Sequence, residues 1–168
     1  MMMAVILFTG IVSLRAQEAV KTEPAKPEAV KLYTPEANAQ EDINKAVAQA
    51  KAANKHVFVQ IGGNWCPWCI KFHHFVDEDA DLKKYVTENY VVVLVNTSKE
   101  NYNKELLAKY EYPGRLGYPV FLILDGTGRR LNTQDSGLLE QGEGYNKSKV
   151  MTFLRQWSAA ALDPKNNK

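Results

Sequence analysis

The segment N-W-C-P-W-C-I-K-F-H-H, residues 64–74, carries both cysteines of the chain and two of its three histidines. A redox pair, a thiolate-imidazole metal site and a buried structural pair are all open to such a segment. Its flanks narrow the choice. Before it, His56–Ile61 (HVFVQI) is β-branched and aromatic and runs into Gly62-Gly63, the pattern of a strand and its end. After it, Ile70–Val76 continues as a helix. A C-x-x-C placed where a strand turns into a helix puts its first cysteine among the unpaired N–H groups of the first turn. The partial positive charge there stabilises a thiolate at Cys66, which is the species that attacks a disulfide. Cys69, one turn deeper, is then placed to attack the resulting mixed disulfide. Pro67 falls in the first turn, where a missing N–H costs nothing. Trp65 and Trp68 are read as playing mixed parts, Trp65 mainly packing and Trp68 exposed between the cysteines as an apolar contact for an extended substrate.

Further from the motif, Ile43, Ala46, Val47 and Ala50 recur at helical spacing between Asn38 and Lys55, with Asn38 and Glu41 as a capping pair. Asp79–Glu88 reads as a second short helix after the motif. Val91–Val95 (VVVLV) is an unbroken apolar strand of the kind buried on both faces. Lys104–Tyr110 is weakly helical, and Tyr112-Pro113-Gly114 ends it. Pro119–Leu124 (PVFLIL) is a third strand, joined by the turn Asp125-Gly126-Thr127-Gly128 to a short partner at Arg129–Asn132. A polar, glycine-bearing loop follows. Ser148–Ala161 closes the pattern as an amphipathic helix with Val150, Phe153, Leu154 and Trp157 on one face. The expected class is α/β: a βαβ unit and a ββα unit in one central mixed sheet, flanked by helices on both faces, with an extra N-terminal helix.

The chain has 168 residues, a net charge of +2, 45% apolar and 24% charged residues. That length suits one domain with a core, and the charge gives no reason to expect nucleic acid as a partner. Met1–Leu14 (MMMAVILFTGIVSL) is an apolar run too short for a spanning helix, and it reads as a signal peptide cut after Ala16. Residues 17–37 mix Lys, Glu, Ala and Pro without periodicity and are expected to be a linker. The domain is expected over 38–161, with 162–168 as a tail. The implied location is periplasmic or secreted, where a disulfide persists.

Trp65-Cys66-Pro67-Trp68-Cys69 after the strand His56–Ile61, together with Gly117-Tyr118-Pro119 before Val120–Leu124, resembles the thioredoxin fold. The resemblance runs from about Asn38 to Ala161. The lead-in Lys55–Cys66 (KHVFVQIGGNWC) and the later Asp79-Ala80-Asp81-Leu82 are most similar to secreted thioredoxin-like domains related to the C-terminal domain of the transmembrane thiol reductant carrier of Gram-negative bacteria. The resemblance implies a protein thiol-disulfide oxidoreductase, a reductase or isomerase. Its cofactor is the redox-active Cys66–Cys69 disulfide itself, with Cys66 as nucleophile and Cys69 as resolving thiol. It implies a cis Tyr118–Pro119 bond, with Tyr118 and Pro119 forming a substrate-binding wall, and as partners protein or peptide thiols and disulfides, and a membrane electron donor for a reductase. The protein is expected to be a monomer.

Asp77 stands where relatives commonly have an aromatic, and two further departures from the family bear more on mechanism. Gln60 stands six residues before Cys66, where relatives place a buried Asp that helps move the proton of the second cysteine, and Gln cannot act as a base. His73 stands four residues after Cys69, where related reductase domains carry Glu. Cys69 and His73 share a helix face. His73 is therefore a candidate for proton handling or electrostatic tuning, or else a polar surface residue. His74 and His56 read as surface residues. Cys66, Cys69 and His73 form one helical stripe, so copper or zinc transfer through the thiolates is an alternative. Structural zinc needs four ligands, and no second Cys or His pair exists, so no metal site is assigned. A non-catalytic binding module on the same scaffold is the third reading.

Overall fold

The computed structural model describes residues 31–166. The expected signal peptide, its cleavage point and the linker as far as residue 30 lie outside the described residues. Helix α1 (Ala39–Ala53) begins where the sequence places it, with the Asn38 side-chain oxygen accepting from the Glu41 N–H at 3.1 Å. It ends at Asn54, whose left-handed backbone (φ 52°) suits Asn better than most residues. Strand β1 (His56–Gly62) leads through a tight turn into α2 (Pro67–Glu78), and α3 (Ala80–Asn89) follows at once. The break between α2 and α3 is made by Asp79, whose carboxylate accepts from the N–H groups of Asp81 and Leu82. Next come β2 (Tyr90–Asn96), the short helix α4 (Lys104–Lys109), β3 (Val120–Leu124) and β4 (Arg130–Asp135).

These strands form a four-stranded sheet in the order β2-β1-β3-β4, with β1 parallel to β2 and the other pairs antiparallel. The period-two alternation of β1 and β3 sorts their side chains into two cores. Val57, Val59 and Ile61 join Val120, Leu122 and Leu124 under α1 and α4. Phe58, Phe121 and Ile123 face the other way, among Phe72 of α2, Leu82 of α3 and Phe153 and Leu154 of the C-terminal helix. The antiparallel pair Ile61↔Val120 brings the residues just before β3 alongside the end of β1, where the cysteine motif starts.

Four expectations are corrected. β2 is an edge strand, not one buried on both faces: Val92 is 46% exposed and faces a cleft. The C-terminal helix is broken in two, α5 (Lys147–Gln156) and α6 (Ala159–Leu162). The break lies where the Trp157 carbonyl accepts from His56 Nδ1 at 2.8 Å and Ser158 caps α6 through the Ala161 N–H. His56 is accordingly buried, not at the surface. Finally, the polar loop after β4 holds a small hairpin, β5 (Glu140–Gln141) with β6 (Gly144–Tyr145), and β4 runs on to Asp135.

Candidate active site

Cys66 is the residue that caps α2. Its backbone is extended (φ −101°, ψ 101°), its sulfur accepts from the Cys69 N–H at 3.1 Å, and Pro67 opens the helix. The first turn of α2 carries no acidic residue. A negative charge arising on Cys66 would therefore meet the helix N-terminus unopposed from that turn. Cys66 and Cys69 are joined as a disulfide, with Cα atoms 5.3 Å apart. Both are buried, Cys66 at 3% exposure and Cys69 at 0%.

The elements around the pair explain that burial. Tyr33 forms one buried cluster with the two cysteines, and Leu32, Trp68, Leu94 and Tyr118 pack against that cluster. Tyr33, only 1% exposed, comes from the segment ahead of α1, in which the sequence shows no periodicity. Asn64, two residues before Cys66, holds that segment like a strand partner. Its side-chain oxygen accepts from the Tyr33 N–H at 2.8 Å, and its amide donates to the Tyr33 carbonyl at 2.7 Å. Asn101 donates to the carbonyls of Pro35 and Ala37. Residues 32–37 thus form a strap over the cysteines, and Tyr33 is the site residue that sequence reasoning missed. The Asn at 64 was visible, but its partner lies 31 positions away.

Tyr118 and Pro119 are brought beside the motif, and the bond between them is cis. The Tyr118 ring meets Trp65 edge-on, with centroids 5.3 Å apart. Burial pushes the Tyr118 hydroxyl pKa up, and the neighbouring Tyr102 adds to the shift. The tryptophans exchange the parts expected of them. Trp65 is 53% exposed, whereas Trp68 is half-buried against Tyr145, with the Lys71 ammonium 4.4 Å from its ring centroid. The turn aims Trp65 outward, and the helix rolls Trp68 onto β6.

Gln60 is buried, and its amide nitrogen donates to the Tyr33 hydroxyl oxygen at 2.7 Å and to the Cys69 carbonyl at 3.0 Å. It holds the end of the motif to the strap and carries no proton to give or take. Gln60 also lines a cleft of about 190 Å³ with His73, Phe58, Phe72, Val86 and Val92, and neither cysteine lines it. His73 and Gln60 thus line the same cleft. Burial holds the His73 pKa below the usual imidazole value, against the pull of Asp77. His74 is exposed and sits 3.7 Å from Glu78. Among the described residues no group of three or more Cys, His, Asp or Glu side chains is placed to hold a metal ion. The arrangement can exchange disulfides through a helix-capping sulfur with a second sulfur one turn below it.

Three comparisons with known proteins agree with this geometry. A family model described as thioredoxin-like matches residues 38–126. The disulfide bond reductase DsbH of Chlamydia pneumoniae is 27% identical over 124 residues, covering 68% of this chain and 72% of that protein. Among solved structures, a disulphide isomerase from Xylella fastidiosa Temecula1 superposes with a TM-score of 0.66 at 21% identity, over 75% of this chain and 95% of its own. A thioredoxin from Thermus thermophilus superposes with a TM-score of 0.52 at 21% identity, over 73% and 88%. With the strand-turn-helix that presents Cys66 and the family model spanning more than half of the sequence, the chain belongs to the thioredoxin-like family.

Proposed function

We propose that the protein is an exported thiol-disulfide oxidoreductase that reduces disulfides of proteins or peptides. The observation that carries the reading is the Cys66–Cys69 pair at the N-terminus of α2, beside Tyr118 and Pro119. In the reduced protein the Cys66 thiolate attacks a substrate sulfur and one substrate thiolate leaves. The Cys69 sulfur then attacks Cys66, and the second substrate thiolate leaves as the intramolecular disulfide closes. Two cysteine thiols are oxidised and one substrate disulfide is reduced. Trp65 and Tyr118 offer the aromatic surface for the substrate, with Pro119 at its edge, and Trp68 supports the helix beneath. No further cofactor is needed. The name of the chlamydial relative supports the reducing direction. Turnover then calls for an electron donor that re-reduces the pair, such as a membrane thiol carrier, and the signal peptide read in residues 1–16 would place the mature chain in the periplasm or outside the cell.

The test is reduction of insulin disulfides by dithiothreitol with catalytic amounts of protein. Wild type is expected to accelerate the reaction and Cys66→Ser to return it to the uncatalysed rate. Equal rates for the two proteins would contradict the proposal.

A further inference from the structure

The Tyr33 hydroxyl is a buried polar group with half of its hydrogen-bonding capacity in use. Its oxygen accepts from Gln60 Nε2 at 2.7 Å, and no acceptor for its own hydrogen is recorded among the described residues. The Cys69 sulfur lies near it, on the same side of Gly62. A Cβ placed on Gly62 would lie 2.9 Å from the Tyr33 oxygen and 2.3 Å from Cys69 Sγ, so hydroxyl and sulfur sit together over the same bare backbone. The influences on the hydroxyl are burial, which pushes its pKa far up, and the Gln60 hydrogen bond, which pulls it down. Such a phenol does not ionise in the working range of a thiol. It is a donor and not a base.

We propose that Tyr33 is the hydrogen-bond partner of Cys69 in the resolving step, its hydroxyl donating to the Cys69 sulfur as that sulfur takes on negative charge. Gln60 fixes the oxygen and the strap fixes the ring. The proposal rests on the reaction proposed above and assigns a part in it. The Cys69 thiol gives its proton to water, the sulfur forms a bond to Cys66 Sγ, and the bond from Cys66 to the substrate breaks. The substrate sulfur leaves with the electron pair and is protonated from solvent. Tyr33 keeps its proton throughout. In the cluster that holds Tyr33 and Cys69 the other titratable groups are Cys66 and, packed against the cluster, Tyr118; Leu32, Trp68 and Leu94 carry no charge. A buried thiolate in that setting is costly unless a donor faces it.

The experiment follows the Cys69 Cβ resonance against pH in full-length Cys66→Ser protein labelled with 13C-cysteine, with and without Tyr33→Phe. Phe keeps the ring contacts and removes the hydroxyl, both the donor toward Cys69 and the acceptor of Gln60 Nε2. The Cys69 midpoint is expected to rise by about one pH unit, so that about tenfold less thiolate is present at neutral pH. Superimposed titrations would overturn the proposal. Should Tyr33→Phe fail to fold, 13C at the tyrosine Cζ of the Cys66→Ser protein gives a second reading. The Tyr33 resonance is expected to shift at the Cys69 midpoint, and a flat trace overturns the proposal. Insulin reduction by the wild type judges the oxidoreductase reading separately. If it fails, that reading falls; if it succeeds while the Tyr33 titrations stay flat, only this hydrogen bond is removed.

Discussion

At Gly62 an added methyl group would meet the Cys69 sulfur at 2.3 Å and the Tyr33 hydroxyl at 2.9 Å, both held from other directions by the disulfide and by Gln60. Gly62→Ala is therefore expected to cost about 1–3 kcal/mol, the range for overpacking a core, seen as a lower urea midpoint with an unchanged slope. Equal midpoints would show that the strap gives way freely. The sequence made the cysteines legible because their spacing and their place after a strand are local properties. Gln60 was legible as an oddity, a neutral amide where a base was expected. Its purpose was not, since its partner Tyr33 lies 27 positions upstream in a segment with no pattern to read. The same distance effect hid the inversion of Trp65 and Trp68, whose exposures are decided by Tyr118 and by Tyr145.

Among the elements, the strap is held chiefly by Asn64, with Asn101 and Gln60, and the β3–β4 turn by Asp125. Asn64 makes both hydrogen bonds to the Tyr33 backbone, and net bonds of about 1 kcal/mol each give about 2 kcal/mol for holding the strap down. Asn64→Ala is expected to let it open more often and to speed dithiothreitol reduction of the Cys66–Cys69 disulfide by on the order of tenfold. An unchanged rate would mean that reductant reaches the sulfurs by another side. In the turn, Asp125 accepts from the N–H groups of Thr127 and Arg129, the Thr127 hydroxyl and the Arg129 guanidinium. Burial alone would raise its pKa; these bonds outweigh burial and hold it at about 2, below the ordinary 3.8. The folded value is the lower one, so its stabilisation is present above 3.8 and is lost as the pH falls toward 2. The amount is about 2 kcal/mol. Urea midpoints between about pH 5 and pH 2 should fall more steeply for wild type than for Asp125→Asn, which does not titrate. Parallel curves would contradict the assignment. Helix starts were readable here because caps such as Asn38 are local. The interruption at Trp157 was not, because His56, 101 positions away, takes its carbonyl.

For the molecule as a whole, the order of strands and helices was legible, and with it the mixed sheet, because β1 and β3 are short β-branched and aromatic runs bounded by Gly, Pro and turn residues and separated by helical spacing. The edge position of β2 was not, since an apolar run such as VVVLV reads the same at an edge with one cleft beside it as in the centre of a sheet. The two cores under and over the sheet fix β1 and β3 side by side, and this places the end of one against the start of the other. The cysteine pair and Tyr118-Pro119 meet at that junction. The claim that this junction performs disulfide exchange through Cys66 is tested most directly by trapping. Reduced Cys69→Ser protein is mixed with a disulfide-bonded peptide and digested under acid quench, and the linked fragments are read by mass spectrometry. The account predicts a stable mixed disulfide on Cys66, and none when Cys66 is also replaced by Ser. Absence of an adduct on Cys66 in the Cys69→Ser protein would contradict it.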